Sequence, residues 1–180
     1  DLGTADTSVT VDGNSSVWNN TNSIYLGYHS TLTSSTGTLN LANGGTVSTS
    51  KLAIYVDGTL NLGTGGLSGK FVGSSIVNNG LIAADFTDSS TLDTAVSGSG
   101  MLTKNGIGSL TLNGVNTYTG LTTVDGGKLV VGDDSHATAS LAGDVKVGAG
   151  GALGGIGTIG GSATIDGILS AGNSPGTLAI

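Results

Sequence analysis

The chain repeats the pentapeptide Gly-Thr-Leu-Asn-Leu at residues 37–41 and again at residues 58–62. Looser copies of this Gly-x-Leu start continue toward the C-terminus at Gly80, Gly100, Gly127, Gly151 and Gly167. The longest interval lies between Gly100 and Gly127, and the shortest lies between Gly151 and Gly167. Because a recurring period of about 20 residues is typical of a solenoid, the sequence predicts a rod of stacked coils.

The composition argues against helices. Charged residues make up 9% of the 180 residues, whereas an average globular protein has about 25%. There is no Glu and no Arg, and each of the 34 glycines would weaken a helix interior by about 0.8–1 kcal/mol relative to Ala. We therefore expect essentially no helix, and we expect glycines at turns where only a positive φ fits.

Apolar residues occur in pairs separated by one small or polar residue, which is the period of a half-buried strand. The pairs are Leu39 and Leu41, Leu60 and Leu62, Leu110 and Leu112, and Val145 and Val147. Asn-Gly, Asp-Gly and Gly-Gly steps bound these short segments, so the segments are expected to be sides of a coil. The prediction is an all-β, right-handed parallel β-helix, since crossovers between parallel strands are right-handed. A β-sandwich also has short strands, but it gives no reason for one fixed repeat spacing.

Residues 98–132 carry a more specific pattern, GxGxLxKxGxGxLxLxGxNxYxGxTxVxxGxLxVG. This pattern resembles the passenger-associated transport repeat of bacterial autotransporters, the type V secretion proteins. The similarity continues at residues 151–157 and ends at residues 170–178, where Ala171 stands at the position of a family Pro. Upstream, residues 17–27 and 37–45 resemble passenger stalk repeats of self-associating adhesins. Large residues replace the family's small or polar ones at three positions, which are Met101, Ile107 and Leu121.

In that family the C-terminal block is the autochaperone segment, which folds first and templates the rest of the passenger. The resemblance implies regular stalk coils in residues 1–97 and a capping, folding-nucleus block in residues 98–180. We expect the inward packing of this nucleus to come from Leu102, Leu110, Leu112, Tyr118, Val124 and Leu129. We expect its turns to be set by Gly106, Gly108, Gly114 and Gly120. The long unit from Gly100 to Gly127 is expected to fold back as a hairpin over the rod's end, where Pro175 would end the ladder.

The sequence offers little catalytic chemistry. There is no Cys, and His29 and His136 are about five coils apart on the predicted period, so we expect both in turns and no metal site. Asp85, Asp88 and Asp93 lie near one another in sequence, but a glycosidase also needs carboxylates that face each other across a sugar. With seven aromatics and no Arg, we predict that the chain is not an enzyme.

The glycine-rich patterns of the chain do not indicate nucleotide or calcium binding. Residues 155–160 satisfy G-x-G-x-x-G, yet no helical pattern follows, so the phosphate would have no helix N-terminus to bind. The Gly-Gly steps lack the Asp of a calcium-binding nonapeptide. We therefore expect no cofactor, and a net charge of −7 without a basic cluster argues against nucleic acid.

Two functions remain open. In the first, the chain is a structural and folding segment that forms the surface stalk of an adhesin. In the second, it is itself adhesive and mediates self-association, cell aggregation and biofilm formation through a polar face. That candidate face consists of Thr36, Thr38, Asn40, Thr59 and Asn61.

The absence of a signal peptide or barrel segment suggests a piece of a larger precursor, exported to the bacterial cell surface. Its expected partners are the outer-membrane barrel of the same precursor and an identical passenger. Host surfaces or matrix are further expected partners, through an N-terminal region outside this chain, and the resemblance extends this to a part in virulence.

Overall fold

The computed structural model describes residues 7–29, 34–171 and 178–180. Within these residues every regular element is a β-strand, and none is a helix. The strands stack in parallel as coils of a β-solenoid, which confirms the predicted fold class. None of the described segments forms a helix long and apolar enough to cross a membrane.

One side of the rod, which we call the first face, is an eight-stranded parallel sheet. Its strands, in stacking order, are β1 (Thr7–Asp12), β6 (Gly37–Ala42), β8 (Gly58–Leu62), β10 (Leu81–Ala84), β13 (Met101–Lys104), β16 (Thr122–Val124), β19 (Val145–Val147) and β22 (Ala163–Ile165).

The second face is a five-stranded parallel sheet, made of β11 (Ser89–Leu92), β14 (Ser109–Leu112), β17 (Gly127–Val131), β20 (Gly151–Gly155) and β23 (Ile168–Ala171). Two further sheets complete the coils, and we refer to them together as the third face. The first contains β2 (Val17–Asn19), β3 (Ser23–Leu26), β7 (Thr46–Ile54), β9 (Lys70–Asn78) and β12 (Val96–Ser97). The second contains β15 (Val115–Asn116), β18 (Ser140–Leu141) and β21 (Thr158–Ile159).

The two copies of the pentapeptide lie directly on top of each other. Gly37 is in register with Gly58, and the match continues residue by residue to Leu41 and Leu62. From β6 onward, in-register residues of neighbouring strands on the first face stay about 20 residues apart in sequence. The repeat period in the sequence is therefore the length of one coil.

The long interval between Gly100 and Gly127 is not a single coil. Gly100 precedes β13 on the first face, whereas Gly127 begins β17 on the second face. The true coil step is seen where Leu102 pairs with Thr122 on the first face and Leu110 pairs with Leu129 on the second. Both steps have the ordinary length, and β13, β16 and β17 all pair in parallel, so the expected hairpin over the axis is wrong.

The core is a column of apolar side chains inside the rod. All four predicted pairs point inward, and their eight members are at most 2% exposed. Like residues stack on like, as where Leu60 lies in register between Leu39 and Ile82. Each buried Leu contributes about 1.5–3 kcal/mol, so the stacked pairs supply much of the stabilisation.

The first coil is less regular than those above it. Thr7 is in register with Gly37, a longer step than any later one on this face. The additional length contains the antiparallel pair β4 (Tyr28–His29) and β5 (Ser34–Ser35). His29 thus lies in a short strand and not in a turn. Pro175 lies outside the described residues.

Candidate nucleation block and outer faces

All six predicted packing residues of the nucleus are buried. Leu102, Leu110, Leu112, Tyr118, Val124 and Leu129 are each at most 1% exposed. Five of them come from the two main faces, because β13 and β16 belong to the first face and β14 and β17 to the second, and Tyr118 lies between β15 and β16. The block therefore closes an apolar interior from two sides within residues 101–131.

Tyr118 brings a polar atom into this interior. Its Oη lies 2.6 Å from Thr122 Oγ1, and both side chains are 1% exposed. Burial raises the pKa of the Tyr118 phenol to about 12, although the hydrogen bond to Thr122 lowers it. The neutral phenol thus links the third face to the start of β16.

Lys104 is fully buried inside the solenoid. Its Nζ donates to the Gly106 carbonyl and lies 3.4 Å from the Gly126 carbonyl oxygen, one coil further on. The same ammonium lies 5.0 Å from the centre of the Phe86 ring, which belongs to the preceding coil. Burial lowers the pKa of Lys104, whereas the carboxylate of Asp85 raises it. One side chain therefore ties three consecutive coils together.

Asn116 makes a second internal tie. Its Oδ1 accepts from the Val96 amide at 3.0 Å, and its Nδ2 donates to the carbonyls of Gly114 at 2.8 Å and Ser140 at 3.1 Å. The side chain is 1% exposed, and the residues it joins belong to three consecutive coils. Because unpaired buried amides are costly, this fully bonded Asn fixes the register of the coils.

The four predicted turn glycines are needed because the backbone of a neighbouring coil lies close to each of them, and not because they adopt a positive φ. A Cβ at Gly106, Gly108 or Gly120 would lie 2.0–2.3 Å from a backbone oxygen of the neighbouring coil. At Gly114 it would lie 2.8 Å from the backbone of Ala95. None of the four has a positive φ, so the expected reason was wrong here. Among the described residues of this block, a positive φ is found instead at Gly98, Gly127, Gly132 and Gly155.

The predicted polar face lies on β6 and β8. Thr38 is in register with Thr59, and Asn40 with Asn61. The Asn61 amide donates to Asn40 Oδ1 at 2.7 Å, and Asn40 Nδ2 donates to hydroxyls of β1 at 3.0 and 3.2 Å. These amides already bond along the rod, so they have less hydrogen-bonding capacity to offer another molecule. Thr36 is exposed just before β6, and its carbonyl accepts from the Thr7 amide.

Further along the same face the polar residues give way to apolar ones. Leu81 is in register with Met101, and Leu121 immediately precedes the next strand in the stack. Met101 is 52% exposed and Leu121 is 40% exposed. Two departures from the family pattern thus lie next to each other on the surface, whereas Ile107 is 80% exposed elsewhere, between β13 and β14.

Two of the acidic residues, Asp93 and Asp133, form a ladder with Asn113 between them. Asn113 Nδ2 donates to Asp93 at 2.8 Å and to Asp133 at 3.0 Å, and His136 Nδ1 lies 2.6 Å from Asp133 Oδ1. The His136 hydrogen bond is the main reason that the pKa of Asp133 is lowered. These residues border a shallow groove of about 850 Å³ that Asp88 also lines. Among the described residues, no group of three or more His, Cys, Asp or Glu could hold a metal.

Neither of the two internal ties, Lys104 and Asn116, was predicted from the sequence. Lys104 and Asn116 are polar, so neither was included among the packing residues. For Lys104 a signal was present: it stands two residues after Leu102, and that spacing gives both side chains the same inward direction. A comparable signal was present for Asn116, which stands two residues before Tyr118, and both residues occupy fixed positions of the repeat pattern.

Comparisons with known proteins bear on this block. Residues 102–131 match the family described as passenger-associated-transport-repeat. A relative described as adhesin BmaC autotransporter, from Brucella suis biovar 1 (strain 1330), is 40% identical over 109 residues. The match covers 60% of this chain and 3% of the much longer relative. No solved structure matches.

Proposed function

We propose that this chain, an autotransporter passenger region similar to part of an adhesin, forms a surface stalk whose residues 98–180 nucleate folding during translocation across the outer membrane. The observation that supports nucleation most directly is the pair of internal ties. Lys104 and Asn116 each hold three consecutive coils in register, and both lie within the segment that matches the transport repeat.

A nucleus must form local order before the rest of the rod exists. A coil gains little by itself, because its apolar side chains are buried only when a neighbouring coil covers them. Buried hydrogen bonds that span three coils make the assembly of those coils cooperative. The completed block then presents the open edge of β13, on which β10 pairs in parallel.

The rest of the chain is then added as stalk. On this proposal the outer-membrane barrel of the same precursor is the partner during export, and the rod holds more distal passenger regions away from the bacterial surface. Contact with host surfaces or matrix, and any part in virulence, would belong to those distal regions. The low content of charged side chains and the continuous ladder suit such a passive rod.

The test is surface display of the intact precursor carrying Leu110→Asp, with Leu60→Asp as the matched control. Both leucines are 0% exposed in the centre of a strand, so each change buries the same unpaired charge. We expect Leu110→Asp to reduce both display and the protease resistance of the whole passenger. Leu60→Asp should leave display and the resistance of residues 98–180 intact. Equal effects of the two changes would refute nucleation by the C-terminal block.

The second candidate function is self-association, leading to cell aggregation and biofilm formation. It is favoured by the first face, which carries few charges and exposes Met101 and Leu121, although the chain has a net charge of −7. Light scattering across a concentration series tests this candidate. A constant molecular mass at all concentrations and no clumping of cells that display the passenger would exclude it.

A further inference from the structure

The outward side chains of β10, of β13 and of residues 121–124, which include β16, form two columns of different size. The large column consists of Leu81, Met101 and Leu121. The small column lies two residues further along each strand and consists of Ala83, Thr103 and Thr123. The columns run side by side along the rod, about 7 Å apart, with successive members about 4.8 Å apart.

The next rung, which consists of β19 and the residue before it, adds one charge to each column. Asp144 continues the large column, and Lys146 continues the small one, with the buried Val145 between them. They are the charged residues of the two columns from β1 to β22 within the described part of the chain. No ion pair joins Asp144 and Lys146 within the described part of the chain. Asp144 Oδ1 accepts from the Ser162 amide at 2.8 Å, which holds the carboxylate in place at the surface.

We propose that this face binds a second copy of the chain, with the two rods side by side and parallel. A two-fold axis along the rod, between the columns, places the large column of each copy against the small column of the other. On the same rung, Asp144 of each copy then faces Lys146 of the other, which forms two symmetric ion pairs. This inference rests on the proposed surface role, because passengers anchored in one membrane already stand parallel.

In an antiparallel pair of rods, the side chains of the same surface match less well in size and in charge. If the two-fold axis ran along β13 instead, each large residue would face a large residue, and β19 would face β8. Asp144 and Lys146 would then lie opposite Thr59 and Asn61, which carry no charge. Only the parallel arrangement satisfies both the size pattern and the charge pattern, and it leaves the Asn40–Asn61 hydrogen bond undisturbed.

The expected contact is small. Eight strands at about 4.8 Å spacing span about 34 Å, and two columns are about 10 Å wide with their side chains. The pair would bury on the order of 700 Å² in total, below the roughly 1,200 Å² of a stable interface. The contact should therefore be weak in solution and should become populated when anchoring in one membrane raises the effective concentration.

The test is cross-linking of single-cysteine variants on cells that display the precursor, since the described chain contains no cysteine of its own. Facing sheets lie about 10 Å apart, so a short bismaleimide is the appropriate reagent. Cells that co-display Thr59→Cys and Asn61→Cys, on the same rung, should give a cross-linked dimer. Ala83→Cys with Thr123→Cys, two rungs apart, should give none, although these two residues would face each other in the antiparallel pair with its axis along β13. The reverse result would establish an antiparallel or shifted contact and overturn the proposal.

Charge reversal gives the second readout, in the same cysteine background. Asp144→Lys alone and Lys146→Asp alone should each reduce cross-linking several-fold by placing like charges opposite each other. Co-display of the two variants should restore the cross-linking, because the two lysines of one variant then face the two aspartates of the other. Lys70→Asp, on the third face, makes the same change in net charge as Lys146→Asp and should have no effect. Normal display without any cross-link would refute the paired face and leave the stalk and folding role standing.

Discussion

Leu110 and Leu60 allow nucleation to be separated from ordinary packing. Each is 0% exposed and lies between in-register neighbours on both sides: Leu110 in the proposed nucleus, Leu60 in the proposed stalk. Replacement of either by Ala removes the same atoms and leaves a cavity, which costs about 2–5 kcal/mol in a rigid core. Equilibrium stability should therefore fall by about 3 kcal/mol in both variants.

The refolding rates should differ. If native contacts of Leu110 are largely formed in the transition state, with a φ-value of about 0.7, then about 2 kcal/mol of the loss slows folding, about 30-fold. If Leu60 packs later, with a φ-value of about 0.2, its variant should refold only about 3-fold more slowly and should unfold faster instead. Both variants are thus equally destabilised but by different kinetic routes.

The assay is urea unfolding and refolding of the whole chain, followed by circular dichroism. Met101→Ala serves as a surface control, since its side chain is 52% exposed and the loss should stay within about 0.5 kcal/mol. The reasoning fails if Leu60→Ala slows refolding as much as Leu110→Ala does. It also fails if both changes act only on the unfolding rate.

Three further predictions concern individual contacts, each measured by urea unfolding. Gly108→Ala places a Cβ 2.0 Å from a backbone oxygen and should cost at least about 2 kcal/mol, whereas Gly160→Ala, whose nearest contact is 3.5 Å, should cost almost nothing. Asn116→Ala leaves three buried backbone groups without their partner and should cost about 2–4 kcal/mol, whereas the exposed Asn105→Ala should cost less than about 0.5 kcal/mol. Tyr118→Phe should cost about 1–3 kcal/mol at neutral pH by leaving a buried hydroxyl unpaired. Because folding raises the pKa of Tyr118 to about 12, the contribution of the neutral phenol to the free energy of unfolding is complete below pH 10 and is lost as the pH rises toward 12. The Phe variant should therefore lack this part of the stability loss at alkaline pH.

The fold was predictable because one short pattern repeats. The alternation of Leu39 with Leu41 sets which side chains point inward, and the second copy of the pentapeptide sets the coil length. These two facts suffice for a parallel stack, since identical strands bury their apolar residues best in register. Within residues 98–132 the alternation identified Leu110 and Leu112, and the other four packing residues were chosen in the segment that resembles the transport repeat; all six are buried.

The errors arose where sequence spacing does not identify the face of the coil. Gly100 and Gly127 start similar motifs, but they lie on different faces, so the interval between them was mistaken for one long coil. The polarity of Lys104 concealed its inward direction, because the carbonyls that satisfy it come from a turn and from the next coil. The role of Gly108 was also misjudged, since it depends on the backbone oxygen of Asp88 in the preceding coil.

The exact stacking of residues 37–41 on residues 58–62 has a consequence for how such a rod changes in evolution. Recombination between the two copies of the repeat would delete residues 42–62, which make up one complete coil, and would join Leu41 to Gly63. The fused strand would keep the neighbours that β6 and β8 have now, one on each side, with every side chain on its original face. Duplication by the same event would add a coil without disturbing the others. The reach of the stalk can therefore lengthen or shorten in whole-coil steps of about 4.8 Å, while the C-terminal block remains unchanged.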